Sequence, residues 1–320
     1  MTIIDGGTMT PVKPPRLRSG DLIGLVSPAS RISDATRVER AVRYLEGLSY
    51  RVTVGPNALK QNTYLAGTDE ERASDINGMF EDARVRAIVC IRGGYGSPRI
   101  LPLLRYRMIA RNPKIFVGYS DITVLHLAFW RKAGLVTFHG PMAGVDLADP
   151  MDPFSEELFW GLLTSPRRKG PVSFPDPRPS AIVPGRAAGR LLGGNLALLC
   201  SIIGTPYLPD FSGALLYLED IGEDPYRVDR MFTQLRASRL LDAARGVLLG
   251  QFTECVPRDA SSPSFSVEEV LREYTLAAGR PTLGGVPFGH ERTKMTIPVG
   301  IRARLSAHEG LLEYLEGSVR

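Results

Sequence analysis

The chain has 320 residues, 43% of them hydrophobic and 23% charged, a composition that sets disorder aside and, at about 150 residues per domain, suggests two domains. Its net charge of +5 comes from scattered Lys and Arg, dense only at Arg167-Arg168-Lys169, so no nucleic-acid partner is expected. Three separated cysteines, Cys90, Cys200 and Cys255, form no C-x-x-C pair and fit a reducing compartment, and no apolar run reaches the roughly 20 residues of a membrane span.

Met1-Thr2-Ile3-Ile4-Asp5-Gly6-Gly7 has no basic start followed by a long apolar stretch, so a cytoplasmic protein without a signal peptide is expected. Leu22-Ile23-Gly24-Leu25-Val26 reads as a buried strand, and Val38, Ala41, Val42 and Leu45 make the stripe of an amphipathic helix. Arg51-Val52-Thr53-Val54 is the next strand, and Thr68-Asp69-Glu70-Glu71 matches a capping box that opens a helix through Ile76, Met79, Phe80 and Ala83. Strands at 87–91, 114–117 and 135–138 follow. This alternation argues for a doubly wound, largely parallel α/β sheet, whose ligands gather at the carboxyl ends of the strands.

Between 165 and 185, six prolines from Pro166 to Pro184 read as a linker. The expected division is therefore 1–165, a Pro-rich linker at 166–185, and 186–320. The second half should hold a helix through Leu196, Leu199 and Ile202. Strands are expected at 214–218, 246–252 and 299–305, and helices at 225–235 and 267–277.

Several segments carry chemistry. Gly118-Tyr119-Ser120-Asp121 lies between a strand and the helical pattern Ile122, Leu125, Phe129. A serine there is presented at the sheet edge as a nucleophile, and the same position also reads as an ordinary N-cap. Ile91-Arg92-Gly93-Gly94-Tyr95-Gly96-Ser97 lets backbone approach a bound group and turn N–H donors toward it. It matches neither the Walker loop nor the dinucleotide fingerprint. The four histidines, His126, His139, His290 and His308, have no metal-ligand spacing, so no zinc is expected. His290, ending Val286-Pro287-Phe288-Gly289-His290 as a strand end, is a candidate general base, with His139 its competitor. His126 and His308 read as structural or surface residues. Either Glu219 or Asp220, at the end of a β-like run, could orient a histidine.

Taken together these segments resemble the LD-carboxypeptidase family of serine peptidases, which also includes the microcin-immunity peptidases. The likeness runs in order through Ile91-Arg92-Gly93-Gly94-Tyr95-Gly96, Gly118-Tyr119-Ser120-Asp121 and Phe138-His139-Gly140-Pro141. It continues with Leu192-Gly193-Gly194-Asn195-Leu196, Leu218-Glu219-Asp220-Ile221-Gly222-Glu223 and Phe288-Gly289-His290. The resemblance implies a flavodoxin/Rossmann-like parallel-sheet domain carrying Ser120 and a β-rich α/β domain of the swivelling type carrying the acid and base. It implies Ser120 as nucleophile, His290 as base and Glu219 as acid, with the oxyanion held by N–H groups of Asp121 and of Gly93 or Gly94 and with no metal or organic cofactor needed. It further implies a homodimer that removes the terminal D-alanine from murein tetrapeptides, with Arg92, Arg99 and Arg227 as candidate receptors for the substrate carboxylate. An amidase acting on microcin-like acyl-adenylate conjugates and a non-catalytic anion-binding module are the alternatives. Trp130 and Trp160 both fall in helical patterns rather than in a base-stacking loop, which favours murein.

Overall fold

The structure, a computed structural model, describes residues 4–5, 8–259, 261 and 263–320. The leader-free reading of the first seven residues falls largely on positions outside these.

Two sheets organise the chain. The first has six strands in the order Ile297–Val299, Thr137–His139, Ile115–Gly118, Val85–Cys90, Leu22–Val26 and Arg51–Val54. All pairings among the last five are parallel. Counted in chain order, those five run 2-1-3-4-5, the flavodoxin arrangement, whose switch point lies between the first and third strands. Leu22–Val26 and Ile115–Gly118, inside the sheet, read as continuous apolar runs, as strands buried on both faces do. The helix Asp69–Glu81 opens on the expected capping box: Thr68 Oγ1 accepts from the Glu71 N–H, and the Glu71 carboxylate accepts from the Thr68 N–H.

The second sheet has eight strands. Arg186–Asn195, Leu215–Ile221, Gly246–Thr253 and Thr282–Gly284 run parallel at its centre, with antiparallel strands on both flanks. The outermost strands on the two sides are Gly170–Pro171 and Ser180–Val183. The proline-rich segment expected to be a plain linker thus also closes both edges of this sheet. Its prolines keep those strands short, as edge positions tolerate.

The expected strand at 299–305 is divided. Ile297–Val299 joins the first sheet as the antiparallel partner of Thr137–His139, while Arg302–Ser306 belongs to the second. Gly300 makes the break, with φ +93°. A Cβ there would lie 2.3 Å from the Trp130 ring, so only glycine lets the chain turn against the helix Thr123–Ala133. Residues 285–296 therefore cross from one sheet to the other. A second seam forms where Asn195, at the end of its strand, donates its backbone N–H to Thr123 Oγ1 at 3.0 Å. Among the described residues, no helix is long and apolar enough to cross a membrane.

Candidate active site

Ser120 sits two residues beyond the end of the strand Ile115–Gly118, where the chain turns into a short helical turn and then the helix Thr123–Ala133. The turn is tight: a Cβ on Gly118 would lie 2.9 Å from the Ile122 side chain. Ser120 itself has φ +63°, left-handed backbone that a side-chain-bearing residue adopts at a cost of roughly 1–3 kcal/mol. No side-chain cap is made at this helix start. The serine is not a cap; it is held in the strained geometry that lifts a side chain off a strand–helix turn.

The glycine loop lies directly against it. A Cβ on Gly93 would be 3.0 Å from Ser120 Cβ and 3.3 Å from its Oγ, so backbone occupies that space only because the residue is glycine. Gly94 has φ +110° and abuts Ser30, whose Oγ accepts the Tyr95 N–H at 3.1 Å. The Asp121 carboxylate accepts the Ser97 N–H at 2.7 Å and so ties loop and serine turn together. Burial pushes that carboxyl above the usual range. Among the described residues, neither the Gly93 nor the Gly94 N–H has an acceptor.

His290 does not end a strand. It lies in the crossing segment, six residues after Thr282–Gly284, and its Nδ1 is 2.8 Å from Glu219 Oε2. A carboxylate only accepts, so the neutral ring carries its proton on Nδ1 and keeps Nε2 basic. Glu219 is fully buried and His290 is 13% exposed. The ring of Tyr119, the residue before Ser120, meets His290 edge to face at 5.2 Å. Serine turn and histidine–carboxylate pair are thus brought together from two sheets.

Asp220 points the other way, as strand alternation requires. It accepts from Asn195 Nδ2 at 2.8 Å and from the Ala197 N–H at 3.0 Å, which leaves Glu219 as the carboxylate on the histidine. His139 is 2% exposed and enclosed by the rings of Tyr119, Tyr217 and Phe288, with its basicity strongly reduced by burial. It cannot reach a substrate. His126 is structural: its Nε2 donates to the Gly118 carbonyl at 2.8 Å, its Nδ1 accepts from Thr137 Oγ1, and burial lowers it to about 4.

His290 borders a cavity of about 520 Å³ that is also lined by Tyr119, Asp146, Asp152, Arg292 and Lys294. Lys294 carried no sequence signal, since Glu291-Arg292-Thr293-Lys294 reads as a solvated turn. It is 4% exposed, with Nζ 2.7 Å from Asp146 Oδ1, donating to Tyr119 OH at 3.1 Å and lying 4.4 Å above the Tyr119 ring. Of the three arginine candidates, Arg99 is held by Asp69 at 2.9 Å and Arg227 pairs with Glu223 at 3.7 Å. Arg92, half-buried beside Gly93, donates to the Arg31 carbonyl at 3.2 Å and has no carboxylate partner among the described residues. No cluster of three or more metal-ligating side chains occurs among the described residues.

Comparison with known proteins fits this geometry. Residues 23–140 match the LD-carboxypeptidase N-terminal domain and residues 188–305 the LD-carboxypeptidase C-terminal domain. The chain belongs to the LD-carboxypeptidase family. It is 40% identical over 303 residues to the probable murein peptide carboxypeptidase of Bacillus subtilis (strain 168), covering 93% of this chain and 92% of that one. The solved muramoyltetrapeptide carboxypeptidase of Oxalobacter formigenes superposes with a TM-score of 0.80 at 33% identity, covering 91% and 97% of the two chains. MccF, solved in complex with glutamyl sulfamoyl guanosine, superposes with a TM-score of 0.87 at 26% identity, covering 97% and 100%. The chain is accordingly a serine-type hydrolase, which sets aside the non-catalytic anion-binding reading.

Proposed function

We propose that this LD-carboxypeptidase removes the terminal D-alanine from murein tetrapeptides with a Ser120–His290–Glu219 triad. The observation that carries the reading is the 2.8 Å contact between His290 Nδ1 and fully buried Glu219, beside the strained turn that presents Ser120. His290 Nε2 takes the Ser120 proton as Oγ attacks the carbonyl of the L-configured residue, and Glu219 stabilises the imidazolium. N–H groups of Asp121 and of Gly93 or Gly94 hold the oxyanion, each worth about 3–4 kcal/mol to the transition state. His290 then returns the proton to the departing D-alanine amine, and water releases the acyl-enzyme. No metal or organic cofactor takes part.

The leaving residue has a free carboxylate, and Arg92 is the guanidinium best suited to receive it. It adjoins the glycine loop and can offer a bidentate fork, whereas Arg99 and Arg227 are already paired. Cell-wall recycling in the cytoplasm, as a homodimer, is the setting that this substrate suggests. Domains divided at 1–165 and 186–320, with the proline segment between, would set the site in the groove between them.

The likeness to MccF favours a second reading, cleavage of acyl-adenylate conjugates. The tryptophans speak against it. Trp130 is buried in the helix after Ser120, and Trp160 has one face stacked on Tyr50 at 5.4 Å and its Nε1 donating to Tyr44 OH, so both are engaged within the fold rather than set in a base-stacking loop. The test is D-alanine release from a murein tetrapeptide beside hydrolysis of an aminoacyl-sulfamoyl adenosine. The tetrapeptide should be the better substrate, and Ser120→Ala should lower its turnover at least about a thousandfold. Preferential cleavage of the adenosine conjugate would overturn the substrate, and full activity in Ser120→Ala the nucleophile.

A further inference from the structure

A group of buried polar atoms next to the histidine–carboxylate pair has no partner: Glu219 Oε1, Tyr217 OH, both ring nitrogens of His139, Thr296 Oγ1 and Gln251 Oε1. None of these residues lines the cavity that His290 borders. They come from distant parts of the chain and meet where the two sheets face each other. Tyr217 and Glu219 are two apart on the strand Leu215–Ile221 and project from the same face. The Tyr217 ring meets His139 edge to face at 5.5 Å, and Phe288 closes on both. Thr296 precedes Ile297, the strand partner of His139, and its Oγ1 would be 2.9 Å from a Cβ on Gly140. Gln251 and Glu219 flank Gly289 from two sides, with Glu219 Oε2 3.3 Å and Gln251 Cβ 3.4 Å from the position a Cβ would take there.

Folded proteins leave few such atoms bare, because each forfeits its hydration without recovering a hydrogen bond. None of them makes a hydrogen bond to another member of the group. His139 is neutral, since burial strongly disfavours its cation, and it offers one N–H and one bare nitrogen. The Tyr217 and Thr296 hydroxyls each give one proton and can each accept. Glu219 Oε1 and Gln251 Oε1 only accept. Acceptors outnumber donors, and what the cluster lacks is protons. Water brings two donors per molecule and is held where it finds two to four polar partners.

We propose that ordered water fills the space between Tyr217, His139, Thr296 and Glu219, and that Tyr217 and His139 position the Glu219 carboxylate through it. Donors on Oε1 fix the plane of the carboxylate, so that Oε2 stays on His290 Nδ1–H. Tyr217 and His139 are positioning residues that touch no substrate. The inference rests on the triad reading given above.

Tyr217→Phe is the informative variant, because it keeps the ring against His139 and Phe288 and removes only the hydroxyl. A high-resolution crystal structure of the wild type should show water bonded to Glu219 Oε1 and Tyr217 OH. In Tyr217→Phe the low-field proton resonance of His290 Nδ1 should move or broaden. The kcat for tetrapeptide should fall about tenfold, the worth of one hydrogen bond, with KM within about twofold. Thr296→Val should act in the same direction and more weakly. A dry cluster in which Tyr217 bonds Glu219 directly would overturn the proposal, as would a lowered melting temperature with the resonance and kcat unmoved in both variants. The resonance needs no substrate: if it moves while tetrapeptide is not cleaved, the water layer stands and the substrate reading alone fails.

Discussion

The two sides of the site are built in different ways. The serine side is local: a strand of four residues, a glycine that permits a tight turn and a left-handed Ser120 lie within six positions, from Ile115 to Ser120. The side proposed to supply base and acid is assembled from afar. His290 and Glu219 are 71 residues apart, one on a segment that crosses between sheets and the other buried in the second sheet. A nucleophile can be poised by backbone strain alone, but a histidine keeps one tautomer only if something distant holds its other nitrogen. The serine side should therefore be sensitive to added atoms, and the base side to lost charge.

Substitutions can break or sharpen that contrast. Glu219→Gln removes the charge and disturbs the tautomer, and should lower kcat about a thousandfold or more with little change in fold. Kinetics with circular dichroism would check this, and a loss below tenfold would mean that Glu219 does not orient His290. On the serine side, Gly93→Ala puts a methyl 3.0 Å from Ser120 Cβ and should cost about a hundredfold in kcat/KM, the scale of a 1 Å misplacement. Native rates in Gly93→Ala would show that the loop has room to yield. Arg92→Ala should raise KM for tetrapeptide about tenfold, whereas Arg99→Ala, which loses a surface pair with Asp69, should leave it within about twofold. The reverse order would exchange their roles.

The smallest effect separates the neighbouring carboxylates. Burial first, and then the adjacent Glu219 charge, push Asp220 from 3.8 up to about 7, against the donors that Asn195, Ala197 and Ile221 supply. A raised carboxyl favours the protonated folded state, so its contribution to stability is complete below about 3.8 and fades as pH rises through about 7. Asp220→Asn should flatten the fall of melting temperature over that window and change kcat less than about fivefold, given its place away from His290. An unchanged melting curve would mean that the three donors keep Asp220 ionised.

How much of this was legible in the sequence follows from the same contrast. The parallel strands, the Thr68–Glu71 capping box and the Ser120 turn were readable because each is set by residues adjacent in the chain. Residues alone left His139 and His290, and Glu219 and Asp220, as open pairs. Resolving them takes burial and strand face, and the family resemblance rather than spacing pointed to the pair that the structure joins. The division of 297–306 between two sheets escaped because Gly300 looks like any strand-end glycine until Trp130 packs on it. Lys294 escaped because its partners, Asp146 and Tyr119, lie 148 and 175 residues away. The closing of both sheet edges by the proline segment was hidden in the same way, since short edge strands carry almost no periodic signal.

The claim that the two sides act as one catalytic unit is tested most directly by a double-mutant comparison. Rates of D-alanine release would be measured for Ser120→Ala, Glu219→Gln and the protein carrying both. If Glu219 works only through His290 on Ser120, the double variant should be about as slow as Ser120→Ala alone, since members of a triad are far from additive. Losses that multiply would show Glu219 acting independently of the serine and would contradict the account.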